Sequence, residues 1–226
     1  MSNVKWRDAF EKQRQITEKR NTSRFTKYYQ SQYNKGVDNI IATGSTDYTS
    51  LFTISFFNRL YHELYDDTSM HFAKWYARTF DKYLKKGVSS KDYITQWQLA
   101  FGVYADRAAA RNVTLVSGTA KKTLIKITQR LFRDPEFVAL GADAKARILK
   151  RQFKKYSRYQ ALRLVRTETT RAANFGVEQS AMSVFPGENL IKEWSTSIDG
   201  RERDWHAQAN GQKVPNKDSF IVGGES

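Results

Sequence analysis

Glu168, Asp199 and His206 are the side chains whose types suit acid–base chemistry. Two carboxylates and an imidazole are the ingredients of general acid–base or metal-assisted hydrolysis, and the arginines around them could hold a phosphate. No nucleophile elbow, P-loop or HExxH pattern accompanies them. The same residues therefore read first as a structural set, with His206 a hydrogen-bonded group and no residue assigned to catalysis. The chain has no cysteine, which removes disulfides, thiol nucleophiles and cysteine zinc sites together. Its histidines are His62, His71 and His206, and the first two would stand about 180° apart around a helix. Neither a metal centre nor a cofactor is expected.

A second chemistry is electrostatic. The chain carries 38 Lys+Arg against 23 Asp+Glu, a formal net charge of +15 over 226 residues. Between Thr119 and Ala173 stand 15 Lys/Arg and 4 Asp/Glu. A local field of that strength favours a polyanion, either nucleic acid or an acidic protein surface. Lys145, Arg147, Lys150, Arg151, Lys154, Lys155, Arg158 and Arg163 are too wide-angled for one stripe of a helix. They predict a helix charged nearly all round, with Ile148, Phe153 and Leu162 as partial anchors. Contact with phosphates, without sequence reading, is the natural use, and it is salt-sensitive. A solvated face, or docking on an acidic protein, would use the same charges.

The elements that must carry these groups are mostly helical, because Pro135, Pro186 and Pro215 are the only prolines. Residues 6–34 read as one long, mostly exposed helix, interrupted by Gly36 and then Thr43-Gly44-Ser45-Thr46. Phe57, Tyr61, Leu64 and Tyr65, then Phe72, Trp75, Tyr76, Phe80 and Tyr83, recur at helical intervals, with a break expected at Asp66–Ser69. Such an aromatic stripe can stack bases, but it reads as core. Ser89-Ser90-Lys91-Asp92 has the form of a helix N-terminus, leading a helix over 92–111. Thr114–Ser117 reads as a turn or strand, and 119–133 as an amphipathic helix. From Ala142 to about Met182 helix resumes, with a break expected near Tyr156-Ser157. After Pro186-Gly187 a strand is expected at Trp194–Ile198, then a helical turn over 201–209, a turn at Asn210-Gly211, and a strand including Phe220 and Val222. No stretch is apolar enough to span a membrane, and Met1–Arg7 lacks the apolar run of a secretory signal peptide, so synthesis and folding in a cytoplasm are expected.

Two stretches then combine. One is Leu164–Gly176, containing Arg166, Thr167, Glu168, Asn174 and Gly176; the other is Lys192–Val214, containing Trp194, Asp199, Arg201, Arg203, His206 and Gly211. Together they resemble the head-morphogenesis, or minor head protein, family of tailed bacteriophages, typified by protein F of phage Mu. The family pattern is an Arg-Thr-Glu helix with a later Asn and Gly, a Trp-containing strand, Asp-x-Arg-x-Arg-x-x-His and an Asn/Asp-Gly turn. The resemblance covers roughly residues 140–226. Many relatives carry a Cys-x-x-Cys pair where this chain has Arg203 and His206, so no metal role transfers. Relatives also continue past the Gly-Gly-Glu stretch, which suggests a module incomplete at its C-terminal end.

The resemblance implies a minor virion component inside the phage head, made in the bacterial cytoplasm and present in several copies per particle. It implies attachment at the portal protein or inner capsid surface and a part in genome packaging or ejection. The expected fold is mainly α: an elongated helical body, residues 1–140, followed by residues 141–226, a basic helix plus a small α+β module. Arg166 and Glu168, two apart on a helix, do not face each other; each would reach a neighbour such as Asp199 or Arg201 and fix how helix and module dock. Two rival readings stand beside this one: a nucleic-acid hydrolase using Glu168, Asp199 and His206, and a carrier module for a C-terminal effector domain.

Overall fold

The structure, a computed structural model, describes residues 3–83, 89–196 and 203–223. The chain is mainly α-helical, with a small α+β module near its C-terminus. Four long helices dominate: α1 (Asn3–Thr43), α2 (Ile54–Thr79), α3 (Ile94–Phe132) and α5 (Ala142–Val184), with the single turn α4 (Pro135–Val138) before the last. At 1.5 Å per residue, the 43 residues of α5 extend for about 65 Å, so the body is elongated.

Cross-helix contacts fix the directions. Trp6 stacks on Trp75 at 4.5 Å and Tyr28 donates to Glu63, so α1 and α2 are antiparallel. His62 meets Asp106 and Ser117 meets the Phe52 carbonyl, so α3 returns against α2. Lys150 pairs with Asp38 at one end of α5 and Arg166 approaches Glu18 further along, which sets α5 antiparallel to α1. The result is an up-down-up-down bundle. Its core is aromatic: Phe25, Tyr29 and Tyr33 of α1, Phe57, Tyr61 and Tyr65 of α2 and Phe153 of α5 are all buried. The Tyr33 and Phe153 rings stack at 4.7 Å, 9° from parallel.

The helix ends follow local chemistry. Thr53 caps α2 through the Phe56 N–H, and Asp134 with Pro135 opens α4. Ser89 and Asp92 form a reciprocal capping box on a short turn (Ser90–Tyr93) that leads into α3, as their spacing predicts. Phe52, in the α1–α2 connection, holds a left-handed φ of 50°; its buried ring and the bonds of its backbone to Gln32 and Ser117 hold it there.

Four expected interruptions are absent. Gly36 lies inside α1, Asp66–Ser69 inside α2, Thr114–Ser117 inside α3 and Tyr156-Ser157 inside α5. In each case a neighbouring segment or the helix's own backbone satisfies the small or polar residue. Thr68 accepts from Asn21, Ser69 donates to Ala172, Ser117 donates to Phe52, and Ser157 bonds back to Phe153. A Cβ at Gly36 would press on Leu124 and Leu51 at 3.0 Å, so that glycine serves close packing. Helix α1 is also less exposed than expected. Phe25, Tyr29, Tyr33 and Val37, four apart, put a full apolar stripe into the core.

The C-terminal module comprises β1 (Ile191–Glu193), α6 (Asp204–Ala209) and β2 (Lys213–Pro215). The strands are antiparallel, with Ile191 opposite Pro215, Lys192 opposite Val214 and Glu193 opposite Lys213. The first strand thus lies just before the expected one, ending ahead of Trp194, and part of the expected span, Ser197–Ile198, lies outside the described residues. The second strand precedes Phe220; Val222 joins only as an isolated bridge. Asn210-Gly211 turns as expected, with Gly211 at a φ of 83°, where a side chain would be strained.

Candidate functional site

Glu168 is buried within the bundle, 4% exposed, on the face of α5 that meets α2. Tyr65 donates its hydroxyl to Glu168 Oε2 at 2.6 Å, and Arg171, one turn along α5, donates to Oε1 at 2.9 Å. Burial, and then the adjacent Glu168 carboxylate, push the Tyr61 and Tyr65 hydroxyls well above the usual phenol range, so Tyr65 stays a donor. Both oxygens of Glu168 are thereby occupied. One turn away, Ser69 donates to the Ala172 carbonyl at 2.9 Å, and Gly176 gives the Ser69 backbone room to approach. Glu168 and Gly176 thus fix helix to helix. Arg166, expected to lock α5 to the module, is largely exposed and instead lies 3.7 Å from Glu18 of α1. Thr167 is exposed and bonds the Arg163 carbonyl, and Asn174 is exposed.

The other motif residues lie in the module. The Trp194 N–H donates to the Gln212 carbonyl and the Gly211 N–H to the Trp194 carbonyl, each at 2.8 Å, closing the β1–β2 unit. The Trp194 ring meets His206 edge-on at 5.6 Å and Phe220 at 5.3 Å. His206 therefore packs against an aromatic ring, and Arg203 lies over Trp205 at 5.5 Å. Asp199 and Arg201 lie outside the described residues. Among the described residues no hydrogen bond or ion pair joins Glu168 to His206, and no group of three His, Asp or Glu side chains is arranged to hold a metal ion.

The basic segment is more ordered than its composition suggests. At about 100° per residue, Arg147, Arg151, Lys154, Lys155 and Arg158 fall within roughly a 100° arc of α5. They lie away from the buried Leu149 and Phe153, all five are exposed, and none forms an ion pair among the described residues. This corrects the expectation of charge all round the helix: burial of Leu149, Phe153, Ser157 and Ala161 takes one side, and five cations share the free one. Lys145 is half-buried, Lys150 is bound to Asp38 at 2.6 Å, and Arg163 lies over Tyr159 at 5.6 Å. Of the predicted anchors, Phe153 is buried, while Ile148 is partly buried and Leu162 is 40% exposed.

Sequence reading missed the partners on α1. A groove of about 590 Å³ runs between α1 and α5, with Lys19 and Lys27 on one wall and Arg158 and Leu162 on the other. The signal was the recurrence of Lys19, Thr22, Ser23, Thr26 and Lys27 on one side of a helix. No described helix is long and apolar enough to cross a membrane. Comparison with protein-family models, curated proteins and solved structures finds no match.

Proposed function

We propose that the chain is a minor head protein of a tailed phage, attached at or near the portal or inner capsid and contacting packaged DNA. In this reading it is a non-enzymatic virion component, present in several copies per particle, that acts in head assembly and in genome packaging or ejection. The observation that carries the reading is the exposed row of Arg147, Arg151, Lys154, Lys155 and Arg158 along α5. Such a row on a rigid helix meets phosphates electrostatically and reads no base. That row continues into the Arg166–Gly176 segment, which bears half of the resemblance to the head-morphogenesis family. The occupied, buried state of Glu168 favours a structural over a catalytic use of that motif.

Quantitative mass spectrometry of purified particles tests the proposal. A low, fixed copy number per particle is the expected result. Absence from particles would overturn it and turn attention to an assembly factor or a host-directed enzyme.

A further inference from the structure

We propose that the groove between α1 and α5 holds a DNA phosphate backbone, with Lys19 and Lys27 of α1 and Arg158 of α5 as its phosphate ligands. The inference rests on the reading that α5 contacts double-stranded DNA, and it extends that contact to a second helix.

The three cations line one groove, are exposed, and take part in no ion pair among the described residues. The carboxylate in the lining, Glu18, is already bound by Arg14 and faces Arg166, so it does not cancel them. The Thr22 hydroxyl is buried in the same groove without a hydrogen-bond partner, and Ser23 beside it is exposed. Hydroxyls and cations together are the groups that bind phosphate oxygens. The groove opens to solvent and is lined by Gln15–Lys27 of α1 over more than three helical turns, which suits a polymer rather than an enclosed small molecule.

Spacing agrees. Lys19 and Lys27 are eight residues apart, about 12 Å along α1. At about 3.4 Å of rise per nucleotide along one strand, they would meet phosphates three to four steps apart. Arg158 is also the last cation of the α5 row, so the groove prolongs that row. Phosphate contacts carry no base information, so binding through these ligands should be indifferent to sequence.

The test is fluorescence anisotropy of a labelled DNA duplex with the full chain, measured across a series of salt concentrations. Lys19→Gln/Lys27→Gln should weaken binding and lower the magnitude of the salt slope by about 2, near 0.9 for each phosphate no longer neutralised. Lys19→Arg/Lys27→Arg should keep the native slope, which separates the effect of charge from that of folding. Arg151→Gln/Lys154→Gln/Lys155→Gln reports on the α5 row alone. If the row variant lowers the slope and the Gln groove variant does not, the groove proposal fails while DNA binding stands. If the native chain binds no duplex, both fail together, and an acidic protein surface takes DNA's place.

Discussion

The carbonyl oxygen of Ser69 lies only 2.3 Å from the point where a Cβ at Gly176 would stand, and the Ser69 Cα lies at 2.9 Å from it. The backbones of α2 and α5 therefore touch at this level, and Ser69 uses the proximity to donate to Ala172. Alanine at 176 would gain about 1 kcal/mol of helix propensity. It would also force two long helices apart, at about 1–3 kcal/mol or more. Gly176→Ala should lower stability by about 1 kcal/mol net, a fall in Tm of roughly 2–4 °C. Thermal unfolding followed by circular dichroism checks this; an unchanged or higher Tm would show that the helices do not approach so closely.

Glu168 and Tyr65 make the second link between the same helices. Removing the donor in Tyr65→Phe leaves a buried carboxylate oxygen without its partner, at a cost of about 1.5–3 kcal/mol for a bond to a charged group. Glu168→Gln should destabilise as well, and the double variant should cost less than the two together, because each single change already breaks the shared bond. A double-mutant cycle in urea measures the coupling. Additivity would mean that Tyr65 and Glu168 do not depend on each other, and it would reopen a chemical role for Glu168.

Helix positions were legible in the sequence wherever burial repeated at intervals of three or four. Phe57, Tyr61, Leu64 and Tyr65 announce α2, and all four are buried. Glycine and serine misled at Gly36, Ser69, Ser117 and Ser157. Locally each favours a turn, but Gly36, Ser69 and Ser117 serve a close approach or a hydrogen bond that only the tertiary structure supplies, and Ser157 bonds back to its own helix at Phe153. The candidate site divides the same way. Arg147, Arg151, Lys154, Lys155 and Arg158 could be read as basic, but their common face appears once Leu149 and Phe153 are known to be buried. The Lys19–Arg158 groove joins residues about 140 positions apart and has no local signature.

His71 makes stability depend on pH. Burial, then the positive charge of Arg20, holds its imidazole below the usual histidine range, with Asp67 opposing and Arg78 adding to the effect. Its Nε2 lies 2.8 Å from Gln13 Oε1. The unfolded chain therefore takes up the proton first as pH falls, and the folded state loses stability from about pH 6.5 downward, through the depressed folded value. His71→Gln should flatten the stability profile between about pH 7 and 5.5. Urea midpoints measured across that range decide it, and an unchanged slope would remove His71 as the cause.

The tyrosines set the alkaline limit. Burial first, then neighbouring groups, raises the hydroxyls of Tyr29, Tyr61 and Tyr65 well above the usual phenol range. Above about pH 10 the unfolded chain releases these protons while the folded chain keeps them, so stability falls as pH rises. Ultraviolet titration should show this group ionising only as the bundle unfolds. Smooth ionisation near pH 10 with intact helical circular dichroism would contradict their burial.

The C-terminal module should be separable from the bundle in stability. Among the described residues, the side-chain hydrogen bond that ties them is Asn216 Nδ2 to Glu178 Oε1, at 2.9 Å. Glu178 is ten residues, about 15 Å, along α5 from Glu168, so the tie is remote from the α2–α5 anchor. The module's own integrity comes from Trp194 with Gly211 and Gln212, and from the Glu193–Lys213 strand pair. Asn216→Ala leaves those bonds whole and removes only the tie, at a cost of about 1 kcal/mol. It should speed proteolytic cleavage between Phe185 and Leu190 several-fold without moving the main thermal transition. A matching fall in that transition would mean that module and bundle unfold as one unit, with α5 transmitting the change through its full length.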